Sequence, residues 1–139
     1  MESKNLLLLI CTVLLFFTVF AVNAVTIVIP SIAAEYGMSN IMQNWVTIIF
    51  LLVVAVLSVP AGQISAKYGL KKVTRICIIL FILISIINVC VTTQEQFLAC
   101  RLVLGISLAF INVTSMAMIV SAFPANERGK ALGINITGV

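Results

Sequence analysis

Long apolar runs constrain this chain more than any other feature. The first extends from Leu6 to Ile29 without a charge, about 36 Å as a helix against a hydrocarbon core about 30 Å thick. Further runs cover 45–64, 73–92 and 97–123, and a last one occupies 131–139. None alternates apolar and polar residues with the period of two that barrel strands require. Backbone groups in lipid must be satisfied within their own segment, so the runs predict helices. Only 9% of the residues are charged and 63% are apolar, whereas a solvated globular surface needs about 25% charge. The expected fold is an all-α membrane protein, four transmembrane helices plus the start of a fifth.

The stretch Gly62 to Arg75 interrupts this pattern most and holds four of the eight basic residues, Lys67, Lys71, Lys72 and Arg75. It is expected to be a short loop between the second and third spans. Lys and Arg near span ends stay on the cytoplasmic side. Lys4, this loop and a second basic loop, Phe123 to Lys130 with Arg128, then fall on one side. The polar loop Ser31 to Asn44, with Glu35, and the turn Thr93 to Gln96, with Glu95, carry no basic residue and fall on the other. This places the N-terminus in the cytoplasm, with Trp45 at the interface where the second span begins. Lys4 and Val22-Asn23-Ala24 also have the form of a signal peptide, but the apolar run continues to Pro30, beyond what an h-region needs. A retained first span is therefore expected. The nine residues from Ala131 to Val139 make about 14 Å of helix, too little to cross a bilayer, so the chain reads as a partial N-terminal bundle.

Several polar or small residues stand out inside the spans. Asn23, Thr26 and Pro30 share one helical face; they read equally as interhelical hydrogen-bonding groups and as a cavity wall. Ser58, Gly62 and Ala66 are spaced by four, a small-residue stripe that admits a close neighbour, and Pro60 is expected to kink that helix. Arg101 lies about one turn into the fourth span, where it either snorkels to the headgroups or turns inward. Gly105, Asn112 and Ser115 follow it on the same stripe, which favours the inward reading. The acids Glu2, Glu35, Glu95 and Glu127 all lie outside the spans. Cys11, Cys77, Cys90 and Cys100 lack metal-ligand spacing and there is no histidine, so packing cysteines are expected, with no metal or cofactor and no enzymatic constellation. The net charge of +4 sits at span ends and reads as topology, not as a nucleic-acid footprint. Asn112-Val-Thr114 and Asn135-Ile-Thr137 match the glycosylation pattern but fall in expected spans.

Three motifs, in order, carry a family resemblance. Gly62, Lys67, Gly69, Lys71 and Lys72 are similar to the loop between the second and third helices of major facilitator transporters. Arg101-Leu-Val-Leu-Gly105, followed by Ala109, resembles the fourth-helix motif of the drug/proton antiporters. Pro124-Ala-Asn-Glu-Arg128-Gly129 looks like the loop before the fifth helix. With Thr26-Ile-Val-Ile-Pro30, the combination most resembles the fourteen-helix multidrug efflux branch. The resemblance implies the start of an N-terminal six-helix bundle built from inverted three-helix repeats. It implies a latch role for Lys67, Lys71 and Lys72, proton coupling at Arg101, and a substrate cavity, for which the residue placement offers Asn23, Thr26 and Asn112 as lining candidates. Ser58, Gly105 and Ala109 would serve helix packing. Its implied partners are the lipid bilayer, missing C-terminal helices, protons and a hydrophobic or cationic small molecule. The chain departs from the pattern at Ala66 and Ala21, where the family usually has an acid, and at Leu104, where a polar residue often stands. Two other functions remain open: a stand-alone four-helix membrane protein acting as an oligomeric carrier or pore, and a truncated remnant that transports nothing.

Overall fold

The computed structural model describes residues 2–35, 37 and 39–137, with the side chains of 2–4, 32 and 35 excluded. The expected placements of Lys4, Glu35 and Val139 lie outside the described residues. Five helices follow one another: α1 (Glu2–Glu35), α2 (Asn40–Tyr68), α3 (Leu70–Val89), α4 (Gln94–Ala122) and α5 (Ala125–Thr137). Among the described residues, four helices are long and apolar enough to cross a membrane: Asn5–Ser31, Asn40–Tyr68, Leu70–Val89 and Gln94–Ala122. The described residues contain no strand.

Most helices run past the ends of the apolar segments, which corrects several sequence expectations. Helix α3 instead stops at Val89, short of 92, and α4 begins at Gln94, so Glu95 lies in its first turn and not in a turn from Thr93 to Gln96. Gly62 to Arg75 is helical except at Gly69, so the expected loop shrinks to one residue. Gly69 has φ +94°, a backbone conformation that side chains rarely adopt. Its N–H donates to the Ser65 carbonyl at 3.0 Å and its own carbonyl accepts from Val73 N at 3.1 Å. One residue thus ends α2 and begins α3. Ser31 to Asn44 is likewise mostly helical, with Pro30 inside α1. Burial carries α1 onward: Ala33 packs in a cluster with Ile29, Val46 and Phe97. Hydropathy marks where lipid ends, and nothing in water obliges the helix to stop there.

Side-chain caps start two helices. Ser39 accepts from Met42 N at 3.3 Å, and Thr93 accepts from Gln96 N at 3.4 Å while the Gln96 side chain accepts from Thr92 N, satisfying orphan donors of the first turn. At the other end, the Pro124 carbonyl accepts from Glu127 N and Arg128 N at 2.9 and 3.1 Å, so α5 begins at Ala125 and not at 131.

The fourth helix forms the core. Half of its most apolar stretch is buried, against 17% for the other three spans. It packs chiefly on α2 and α3 and more lightly on α1 and α5. Gly105 lies at a close approach of α2 and α4: a methyl group there would meet Val53 Cγ1 at 3.2 Å and the Phe50 carbonyl at 3.3 Å. Ala109 is fully buried. On α2 the buried small residues are Ala61 and Ser65, beside partly buried Ser58 and Gly62. Ala66 is exposed, so the stripe of small residues turns one position earlier than its spacing by four suggests.

Candidate functional site

Arg101 turns inward. Only 2% of it is exposed, and its guanidinium lies 5.7 Å from the Phe50 ring centroid and 5.5 Å from that of Phe97. Two aromatic faces partly compensate the charge, each by about 0.5–2 kcal/mol depending on desolvation. Its Nε and Nη2 have no hydrogen-bond partner. A buried charge without a carboxylate is costly in any protein interior and more so at membrane depth.

The arginine forms part of the wall of a cleft of about 470 Å³ between α1 and α3, with α4 as its floor. Most of the lining is apolar, including Val22, Val25, Phe81 and Leu104, with Ser85 and Asn88 as further polar groups. The Asn88 Oδ1 is buried and also lacks a partner. Sequence reasoning passed over Ser85 and Asn88, although their i, i+3 spacing in an otherwise apolar run is the signal that marks them. It also passed over Phe50 and Phe97, which nothing in the sequence distinguishes from lipid-facing phenylalanines.

The other expected site residues are distributed along the bundle. Asn23 and Thr26 lie on an exposed face of α1 and donate to the carbonyls of Val19 at 3.0 Å and Val22 at 2.9 Å; neither lines the cleft. Asn112 is half-buried on α4, away from it. Ser58 donates to the Val54 carbonyl at 2.6 Å. Lys67, Lys71 and Lys72 are exposed around Gly69, with the Lys67 ammonium 5.7 Å from the Tyr68 ring centroid. Lys71 and Lys72 border a second hollow of about 530 Å³ with Leu7, Met118 and Ser121, so the α2–α3 junction, the start of α1 and the end of α4 share one end of the bundle. Arg128 joins α4 to α5: its Nε donates to the Phe123 carbonyl at 3.0 Å, a cation at a helix C-terminus where the dipole favours it. Gly129 has open space around it.

One more polar contact ties α5 to α1. Asn135 is 1% exposed and donates through Nδ2 to Thr12 Oγ1 at 3.2 Å, and Thr12 in turn donates to the Leu8 carbonyl at 2.9 Å. The sequence presented Asn135 only as part of a glycosylation match.

Four bilayer-length helices assembled around an inward-facing arginine define a polytopic integral membrane protein. The chain belongs to the Major Facilitator Superfamily, whose family model matches residues 8–139. It is 25% identical over 134 residues to the riboflavin transporter RibZ of Clostridioides difficile (strain 630). It is 28% identical over 131 residues to the major facilitator superfamily multidrug transporter mfsC of Aspergillus fumigatus, and 29% over 136 residues to the drug efflux pump JefA of Mycobacterium tuberculosis. These matches take in 96%, 94% and 97% of this chain but 29%, 25% and 27% of the relatives. The chain therefore spans between a quarter and three tenths of the length of these curated relatives. No solved structure matches the chain at a significant level.

Proposed function

We propose that these helices are the first part of a secondary carrier that expels small hydrophobic molecules across the cell membrane by proton antiport. Arg101 carries the reading: a charge is retained at 2% exposure in the central helix, on the wall of a cleft, where an apolar residue would pack at less cost. Relatives named as drug efflux pumps and multidrug transporters support it. In this reading Arg101 couples proton movement to the cycle. Lys67, Lys71 and Lys72 form a cytoplasmic latch beside the N-terminus, with Pro124 in the neighbouring connection and Arg128 and Gly129 at the start of α5. Asn23, Thr26 and Asn112 face a cavity completed by further helices, which would account for their exposure or partial exposure. Gly105, Ala109 and Ser58 hold α2 against α4. Of the two substrate classes that the resemblance implies, the hydrophobic one fits better, because the only acid in the described spans is Glu95, in the first turn of α4 and not beside the span centres.

The test is dye efflux from energised cells, with neutral Nile red and cationic ethidium. The 139-residue chain would be expressed alone and within any longer reading frame that contains it. The expected outcome is Nile red export by the longer form, lost on collapse of the proton gradient and in Arg101→Ala at unchanged membrane abundance. Gradient-independent efflux, or full activity of Arg101→Ala, overturns the coupling role. Efflux by the short chain alone points instead to a small oligomeric carrier.

A further inference from the structure

The cleft between α1 and α3 sets an uncompensated charge into an apolar wall. The two guanidinium atoms without partners, Nε and Nη2, are the pair that forms a side-on fork with the two oxygens of one carboxylate or phosphate. Phe50 and Phe97 present ring faces to the guanidinium, which no hydrogen bond from Nε or Nη2 can use as it would an oxygen. On α3, Ser85 brings a hydroxyl and Asn88 an amide whose Nδ2 can donate to an anion, while its buried Oδ1 cannot. A guanidinium in low dielectric repels a cation and attracts an anion more strongly than it would in water. The volume, about 470 Å³, suits a small ligand. Val28 and Val89 in its lining are 47% and 85% exposed, so the cleft opens onto the apolar surface of the bundle.

We infer that this cleft binds an amphiphile with a single anionic head, a carboxylate or a phosphate. The head pairs with the Nε–Nη2 edge of Arg101, which is closed off in this structure and is reached when a side chain beside it shifts. Ser85 and the Asn88 Nδ2 flank the head, and the apolar body lies between α1 and α3. The inference needs binding only and stands whether or not the protein moves drugs. A bilayer phospholipid and a soluble single-chain acid both carry this chemistry, and the test separates them.

The chain in neutral maltoside micelles is titrated with dodecanoate while thermal unfolding is followed, with dodecanol and dodecyltrimethylammonium as charge controls. Dodecanoate is expected to stabilise it saturably at concentrations about tenfold below those of dodecanol, as one charge-assisted fork warrants; dodecyltrimethylammonium is expected to have no saturable effect. Arg101→Gln brings dodecanoate down to the level of dodecanol. Ser85→Leu narrows the cleft with Arg101 intact, and it weakens dodecanoate in a chain whose circular dichroism and Trp45 emission match the parent. Phosphatidylglycerol retained from mixed phosphatidylcholine nanodiscs, read by native mass spectrometry and lost in Arg101→Gln, identifies a bilayer lipid as the source. Dodecanoate binding without such retention identifies a soluble acid; either upholds the site. Equal binding of dodecanoate and dodecanol by the parent, or dodecanoate binding undiminished in Arg101→Gln or in Ser85→Leu, overturns it.

Discussion

Gly105 and Arg101 act through the same neighbour. The missing side chain at Gly105 lets the Phe50 backbone and ring come within contact distance of α4, with Phe50 Cδ2 only 3.4 Å from where a methyl group would stand. One turn earlier the same ring lies beside the guanidinium. Gly105→Ala must push against the Phe50 carbonyl, which belongs to a rigid helix. Overpacking of about 1–3 kcal/mol then outweighs the helix propensity gained, about 1 kcal/mol. Gly129→Ala, in open space, keeps that gain. Thermal unfolding in detergent should therefore move in opposite directions for the two substitutions, down for Gly105→Ala and up for Gly129→Ala. Equal shifts would mean that α2 and α4 are not in close contact at Gly105.

At the scale of elements, α5 is anchored by a small apolar contact and one polar bond. Its apolar contribution is small, with Ala131 and Leu132 joining a cluster of Cys11, Ile119 and Phe123, while Asn135 reaches Thr12 on α1. Asn135 leaves its Oδ1 buried without a partner, so part of the bond's gain is spent on desolvating that oxygen. A double-mutant cycle with Thr12→Val and Asn135→Leu should give a coupling energy of about 0.6–2 kcal/mol, the range for interhelical hydrogen bonds in membranes. The readout is unfolding in detergent. A coupling indistinguishable from zero would mean that α5 is held by apolar contacts alone.

Across the whole molecule, charge and cysteine placement make the proposed orientation measurable. Cys90 is exposed at the end of α3, while Cys11, Cys77 and Cys100 are buried. Lys71 lies at the opposite end of the same helix. A membrane-impermeant maleimide added to intact cells should label Cys90 and leave the three buried thiols unmodified. In a Cys90→Ser background, Lys71→Cys should react only after permeabilisation. The reverse pattern would place the basic end outside and refute the cytoplasmic latch.

Sequence by itself determined the solvent of this protein, the helical class and the succession of four bilayer-length helices. Those are properties of local composition, summed over about twenty residues at a time. It also singled out Arg101 and Gly105, because a charge or a glycine in an apolar run is conspicuous in any fold. Only the tertiary structure decided which apolar residues pack between these helices and which stay on their surface. Phe50 and Phe97 are buried at 5% and 3% exposure, whereas Phe17 and Phe20 are exposed at 64% and 61%. No hydrophobic contrast separates the two pairs, since lipid tails are as apolar as a core. The same lack of contrast hid the turn of the α2 stripe from Ala66 to Ala61 and Ser65. The helix ends were hidden too: the apolar pattern records the edge of the bilayer, while backbone geometry at Gly69 and burial at Ala33 determined where the helices stop.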